Sequence, residues 1–374
     1  MATYTQIACI MITWCLVLYL LYRWYQKRIP PSREGLGVIE YPPQTAFVDS
    51  KNMPLKEYAI KSSFNSAYDG KKNTIDQLSA VMYHGCRFLD FNVFATDASK
   101  VVIGFSADNS PTLVDASLSL DMAIDYINTY AFKVDKQVES KLRQTDYRAR
   151  ISDAISPGRA NRASIQTNYP NTPLFVNIRV YRPPSSDIDI VGLVNPYIEK
   201  LKNRYLDQDG NALPVTQYTP LADLANKVVV VMDIENILQI YTSPPPYDPL
   251  NIPPPVVDTL NKMANIRTGG QNWAAFYSYK DVNKSNYTML KKMDDKVRSN
   301  TYETNAMNMQ IVYPSYSEPS NPDSYLYMKN YSIQTIPHRY YVDDDNLAKY
   351  NKLFDSNATP FVPLYSVLTF TSKP

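Results

Sequence analysis

No charged side chain occurs between Ala2 and Tyr22, and Ile7 to Tyr22 (IACIMITWCLVLYLLY) is nearly all apolar. About 20 helical residues, each rising ~1.5 Å, span a hydrocarbon core of ~30 Å. Trp24 and Tyr25 follow, then Lys27 and Arg28, the aromatic-then-basic order of a helix leaving a bilayer. A cleaved signal peptide and a buried core helix are the rival readings. The first wants a basic residue before the apolar run and a small-residue cleavage site after it, and neither is present. The expectation is a retained anchor over residues 7–25, preceded by a short tail at 1–6. Arg23, Lys27, Arg28 and Arg33 all lie on its C-terminal side, so the positive-inside bias places the body in the cytosol. Asn-x-Ser/Thr sequons begin at Asn283, Asn286, Asn330 and Asn357, but such matches arise by chance in an Asn-rich chain.

The rest of the chain is long enough for a large core. Hydrophobic residues make up 44% of the 374, and 38 basic against 36 acidic residues leave a net charge of +2. That balance excludes bulk nucleic-acid binding, which needs a strongly basic surface. Three cysteines, Cys9, Cys15 and Cys86, exclude a disulfide scaffold and a cysteine-rich zinc module. Only His84 and His338 are available for histidine chemistry.

Residues 26–50 carry paired prolines and no helical period, and read as a linker. From residue 51 to 374, strand-like runs alternate with helix-like stretches. The expected strands are Glu57–Ser62, Cys86–Phe94, Lys100–Phe105, Leu174–Tyr181, Lys227–Asp233, Ala274–Tyr279, Met309–Tyr316 and Phe361–Val367. The expected helices are Leu118–Tyr130, Ile188–Arg204, Val256–Asn265, Met289–Arg298 and Asp344–Phe354. Eight strands alternating with helices predict an α/β fold, a distorted (β/α)8 TIM-type barrel. Pro183–Pro184 and Ser243–Pro255 read as surface loops.

Leu55–Asn65 (LKEYAIKSSFN) and Gly85–Phe94 (GCRFLDFNVF) together resemble the X region of phosphoinositide-specific phospholipase C. In that family the first strand ends in Ser-Ser-His-Asn or a close variant, and the second reads Gly-Cys-Arg-x-x-Glu-x-Asp-x-Trp. Lys100–Ser106 fills the third-strand slot and Asp125–Phe132 the following helix, while Tyr169–Tyr181 and Leu224–Met232 resemble the fourth and fifth strands. Met309–Tyr316 and Asn346–Phe354 resemble parts of the family's second half. The resemblance implies a distorted (β/α)8 barrel.

It also implies where chemistry would sit. The family uses two histidines as general base and general acid. Here the matching positions are Phe64 and either Phe105 or Gly104, and neither phenylalanine nor glycine transfers a proton. His84 precedes the second strand and His338 lies in a late loop, so both read as surface or turn histidines. The family's calcium ligands map to Asn65, Asp90, Asn92 and Arg179. A single carboxylate, two amides and a guanidinium lack the negative oxygen set that a hard cation needs. Arg179 is expected to pair with Asp90 instead. The family's phosphate-contacting lysine maps to Val231.

Other constellations carry less. Asp233 and Glu235 end a strand, but a retaining glycosidase needs carboxylates about 5–5.5 Å apart, which spacing alone cannot show. Asp343–Asp345 reads as a helix start. There is no Walker loop, dinucleotide fingerprint, serine elbow or zinc spacing.

The sequence therefore predicts a catalytically inactive, phospholipase-C-like barrel with no cofactor and no metal. It would be a single-pass membrane protein held to a lipid bilayer through residues 7–25. Anchored, degraded barrels of this kind resemble accessory proteins of large DNA viruses, which implies a virion inner membrane linked to a capsid or scaffold protein. Two alternatives are a phosphoinositide-headgroup module using Asn65, Asp90, Asn92 and Arg179 without turnover, and a phosphodiesterase with relocated catalysis.

Overall fold

The computed structural model describes residues 53–95, 100–105, 118–132, 169, 171–181, 188–233, 237, 240–241, 252–268, 273–276, 309–314 and 319–371. The chain divides into two compact units, Met1–Asp49 and Ser50–Pro374, and every described residue belongs to the second. Among the described residues no helix is long and apolar enough to cross a membrane. The expected anchor, the linker, Pro183–Pro184, Glu235, the helix Met289–Arg298 and most of the loop before Ile252 lie outside the described residues.

The fold is α/β, built on one mostly parallel sheet. Strand β1 (Tyr58–Ile60) runs into β2 (Ser62–Ser63), which pairs in parallel with β3 (Phe88–Ala95). Next to β3 lies β6 (Leu174–Tyr181), then β7 (Val228–Asp233), β8 (Ile266–Thr268), β9 (Trp273–Phe276) and β10 (Met309–Val312), all parallel. Single parallel bridges then join Ile311 to Thr335, Thr335 to Ile60, and His338 to Ser63. The segment 335–338 thus links β10 to β1 and β2.

Two expected strands take different places. Lys100–Phe105 was expected as the third strand of the barrel, parallel to its neighbours. They form β4 (Val101–Gly104), antiparallel to β3, and β4 in turn pairs antiparallel with β5 (Leu118–Ser119). The physical reason is connection length: a parallel return needs a crossover of about a dozen residues, and Ala95 to Val101 is far shorter. The strand expected at Phe361–Val367 stops after three residues as β11 (Phe361–Pro363), antiparallel to β1. Pro363 has no N–H to extend a ladder, and α7 (Leu364–Thr371) begins at the next residue.

Side chains alternate across the long strands, as the two-residue period requires. Leu89, Phe91 and Val93 of β3, Val176, Ile178 and Val180 of β6, and Val228, Val230 and Met232 of β7 belong to one apolar core. The helices in that core are α1 (Ile75–Tyr83), α2 (Leu120–Tyr130), α3 (Ile190–Glu199) and α4 (Pro254–Met263). Helix α1 was not expected, although Thr74 caps it by accepting the Gln77 N–H at 3.1 Å. Between α1 and β3 the chain turns through Gly85 at φ +80°, a conformation that suits glycine. Beyond β10 come α5 (Ser324–Tyr331) and α6 (Asp345–Ser356). Asp344 caps α6 by accepting the Leu347 N–H at 2.8 Å, so Asp343–Asp345 is a helix start as expected.

Candidate functional site

The opposite faces of the same strands carry a different chemistry. The register sets Phe88 beside Phe175, Asp90 beside Asn177, Asn92 beside Arg179, and Phe94 beside Tyr181. Polar residues thus occupy the middle of this face, with aromatic rings at either end. Phe94 and Tyr181 stack with centroids 4.8 Å apart. Val231, beside Asn177 on β7, is fully buried.

Asp90 is 0% exposed and Arg179 is 2% exposed, and the ion pair between them is present. Arg179 Nε donates to Asp90 Oδ1 at 2.9 Å, and an Arg179 Nη2 hydrogen bond reaches Oδ2 at 2.6 Å. This two-pronged geometry is the strongest form of the pair. Each carboxylate oxygen takes a second donor. Asn177 Nδ2 donates to Oδ1 at 2.8 Å, and the Asn65 backbone N–H donates to Oδ2 at 3.0 Å. Two ionised oxygens offer about four lone-pair positions, and four protein donors fill them.

Asn65 reaches Asp90 because its backbone is left-handed, at φ +46°, a conformation asparagine tolerates better than most residues. Its side-chain oxygen lies 3.3 Å from Arg179 Nη2, a long contact. Ser66 braces the same turn: its backbone N–H donates to the Asp90 carbonyl, and its hydroxyl accepts the Asp90 N–H, both at 2.8 Å. Asn92 is also fully buried, and neither atom of its amide has a hydrogen-bond partner among the described residues.

Phe64 and Phe105 lie in different surroundings. Phe64 is 1% exposed, and the Arg179 guanidinium carbon sits 4.8 Å from its ring centroid and 4.9 Å from that of Tyr313. The two rings are 6.1 Å apart, so cation and rings form a triangle in which the guanidinium rests on both. Phe105 is half-buried and stacks on Tyr68 at 4.1 Å, with planes 6° apart.

Asn177 and Tyr313 belong to this site and were not singled out from the sequence. Asn177 Nδ2 also donates to the Tyr313 hydroxyl at 2.8 Å. Burial, with Asp90 next, holds the Tyr313 phenol well above the ordinary range, so it stays protonated. The signal for Asn177 was present: it stands two residues before Arg179, on the same face of an otherwise apolar strand.

The histidines need one correction. His84 is the C-cap of α1, partly exposed, 5.5 Å from the Tyr340 ring, which agrees with a turn histidine. His338 is instead 0% exposed. Its ring stacks on Tyr350 with centroids 3.8 Å apart, and its backbone pairs with the strand leading to Phe64. Asp233 is fully buried at the end of β7, and its charge is felt at Tyr313. Among the described residues, no group of three or more His, Cys, Asp or Glu side chains is placed to hold a metal.

The fold is α/β and resembles that of the phosphoinositide phospholipases C. Residues 51–138 match the family model for the phosphatidylinositol-specific phospholipase C X domain, confirming the resemblance drawn from the strand motifs. A crystal structure of L. pealei PLC21 superposes with a TM-score of 0.51 at 13% identity, covering 84% of this chain and 37% of that one. The chain therefore spans little more than a third of that protein, and the likeness is one of fold. The S. officinalis PLC21 structure gives a TM-score of 0.49 at 14% identity, with coverages of 84% and 37%. The calcium-dependent enzyme of a Pseudomonas sp. gives 0.43 at 10%, with coverages of 84% and 97%. No curated protein matches the chain.

Proposed function

We propose that this is a phospholipase-C-like domain without phosphodiesterase turnover, retained as a membrane-anchored structural or binding protein. One observation carries the reading: every acceptor position of Asp90 is occupied by a protein donor, two of them from Arg179. A divalent cation would have to displace a buried guanidinium to reach that carboxylate. Phe64 adds to the argument, because a ring under a guanidinium neither gives nor takes a proton.

On this reading the bridges through Thr335 and His338 close the sheet as the eighth member of a distorted barrel. Residues 7–25 hold the body at a bilayer on its cytosolic side. Its partner there would be a capsid or scaffold component, with the inner membrane of a virion as the setting. The length and flanks of the apolar run support the anchor. Headgroup binding through Arg179 has less support, since Asp90 already engages Nε and Nη2.

The test is turnover of phosphatidylinositol and its bisphosphate by the full chain in detergent, with and without calcium, beside vesicle co-sedimentation of a form lacking residues 1–50. Calcium-dependent cleavage would overturn the reading. Headgroup-selective sedimentation without cleavage would replace it with a lipid-binding module. Neither activity, with loss of membrane fractionation on deleting residues 7–25, is the expected result.

A further inference from the structure

The segment 335–338 connects β10 to β1 and β2 among the described residues. At its Thr335 end the Thr335 N–H donates to the Gln310 carbonyl at 3.2 Å and the Val312 N–H donates to the Thr335 carbonyl at 3.0 Å, while the Ile60 N–H donates to the adjacent Gln334 carbonyl at 2.8 Å. His338 N–H donates to the Ser62 carbonyl at 3.2 Å, and Phe64 N–H donates to the His338 carbonyl at 2.9 Å. The His338 side chain locks the join from behind. Its Nδ1 lies 2.8 Å from the Ile336 carbonyl, which can only accept, so Nδ1 carries the proton and Nε2 is bare. Nε2 makes no hydrogen bond and has no exposure to water. The ring lies flat on Tyr350, with an interplanar angle of 12°. The Tyr350 hydroxyl in turn accepts the Ser62 N–H at 2.7 Å and donates to the Ile60 carbonyl at 3.2 Å. One imidazole and one phenol therefore brace the His338 end of the seam, while backbone bonds of Gln334 and Thr335 hold the other end.

We propose that His338 is an acid-sensitive latch on this seam, closed while its ring is neutral and released when the ring takes a second proton. A second proton would make the ring a buried charge with the Pro322 carbonyl as its nearby backbone acceptor, and opening the seam would give it water. The groups around it offer limited help. Asp344 at the start of α6 and Asp323 at the start of α5 act through space, and the Ile336 and Pro322 carbonyls act nearby. Asp344 is already engaged by the N–H groups of Leu347 and Asn321, and Asp323 by that of Tyr325. Tyr350 and Tyr340 are neutral phenols, and Cys86 is a neutral thiol. Lys61 is paired with Asp355 at 2.9 Å, and Arg339 donates to the Ser320 carbonyl. Burial outweighs these groups and lowers the ring's affinity to about 4 from an ordinary 6.5. Release would free the Phe64 backbone, and with it the ring that supports Arg179. Acid would then reach the Asp90 site from a residue that does not touch it. The inference does not depend on whether the domain turns over lipid.

The test is amide hydrogen exchange on the full chain at pH 7 and pH 5, corrected for the intrinsic pH dependence of exchange. With values of 6.5 open and about 4 closed, linkage predicts that opening at the Phe64 and His338 amides becomes about twenty-fold easier at pH 5. Amides of β6 and β7 should not share that gain. His338→Gln should abolish it, and His84→Gln should leave it intact. A gain that survives His338→Gln, or no gain in the wild type, overturns the proposal. Should His338→Gln fail to fold, the ring titration of His338 in the wild-type chain decides by NMR. A midpoint well below 6 supports the latch, and a midpoint near 6.5 sinks it.

Discussion

Arg179 and Phe64 meet with the guanidinium carbon 4.8 Å from the ring centroid, where the family resemblance calls for a proton-transferring histidine beside a metal ligand. A fixed cation resting on an aromatic face thus occupies the ground of the expected chemistry. That exchange underlies the first three predictions.

Replacing Arg179 by leucine strands Asp90 as an unpaired charge at 0% exposure. Breaking a buried pair in this way costs about 3–5 kcal/mol. The double variant Asp90→Leu/Arg179→Leu should recover most of that loss, because it removes both charges. Urea denaturation of the three chains checks this. Equal losses in the single and double variants would mean that the pair is not the source of the effect.

Phe64→His should restore no phosphodiesterase activity. A lone histidine has no acid–base partner there, because Phe105 lies against Tyr68 and His338 is held at the seam. A sensitive assay with a fluorogenic inositol phosphodiester reads the outcome. Measurable turnover would show that a second proton-transfer group exists nearby.

Calcium should leave the melting temperature unchanged. A ligand that binds the folded state raises stability with its concentration, and Asp90 has no free acceptor position to offer. Thermal scans with and without millimolar calcium test this. A concentration-dependent rise would place a cation where Arg179 now sits, or reveal a site elsewhere.

Stability should fall as pH drops from about 6.5 towards 4. The His338 affinity is depressed in the folded state, to about 4 from 6.5, so the unfolded chain binds its proton first. The stability is fully present above the unfolded value and is lost as pH falls through the folded one, by up to about 3 kcal/mol. His338→Gln should flatten the fall over this window, as measured by urea midpoints at successive pH values. An unchanged slope would assign the acid sensitivity to other groups.

Cys86 should resist alkylation in the native chain. Burial pushes its thiol up to about 12 from 9.0, so at pH 8 its thiolate is about a thousandfold scarcer than an ordinary one. Mass mapping after iodoacetamide treatment, with and without denaturant, reads this residue separately from Cys9 and Cys15. Rapid native labelling would contradict its burial.

Much of the sheet was readable from composition along the chain. The strand at Leu174–Tyr181 lies where it was expected, its apolar residues interrupted only by Asn177 and Arg179, and Val228–Asp233 is one residue shorter than expected. Strands buried against helices carry that signature in their own residues. Helix α1 was readable too, since Thr74 precedes apolar residues at Ile75, Leu78, Val81 and Met82, a helical spacing confined to nine residues. The strand Ile266–Thr268 was missed because three residues are too few to show a pattern.

The sequence by itself determined the chemistry available: an amide, a carboxylate, an amide and a guanidinium at positions 65, 90, 92 and 179, with phenylalanine at 64. The family resemblance, by placing positions 90 and 179 at one site, was what allowed the ion pair to be expected, because opposite charges there would neutralise each other. Only the tertiary structure decided that Asp90 would have all its acceptors filled, since Asn177 and the Asn65 N–H come from other parts of the chain. It also decided that β4 folds back on β3, and that His338 is buried. Burial of a loop residue depends on what packs over it. Tyr350, twelve residues further on and in a different element, carries no sign in the local sequence that it will cover that ring.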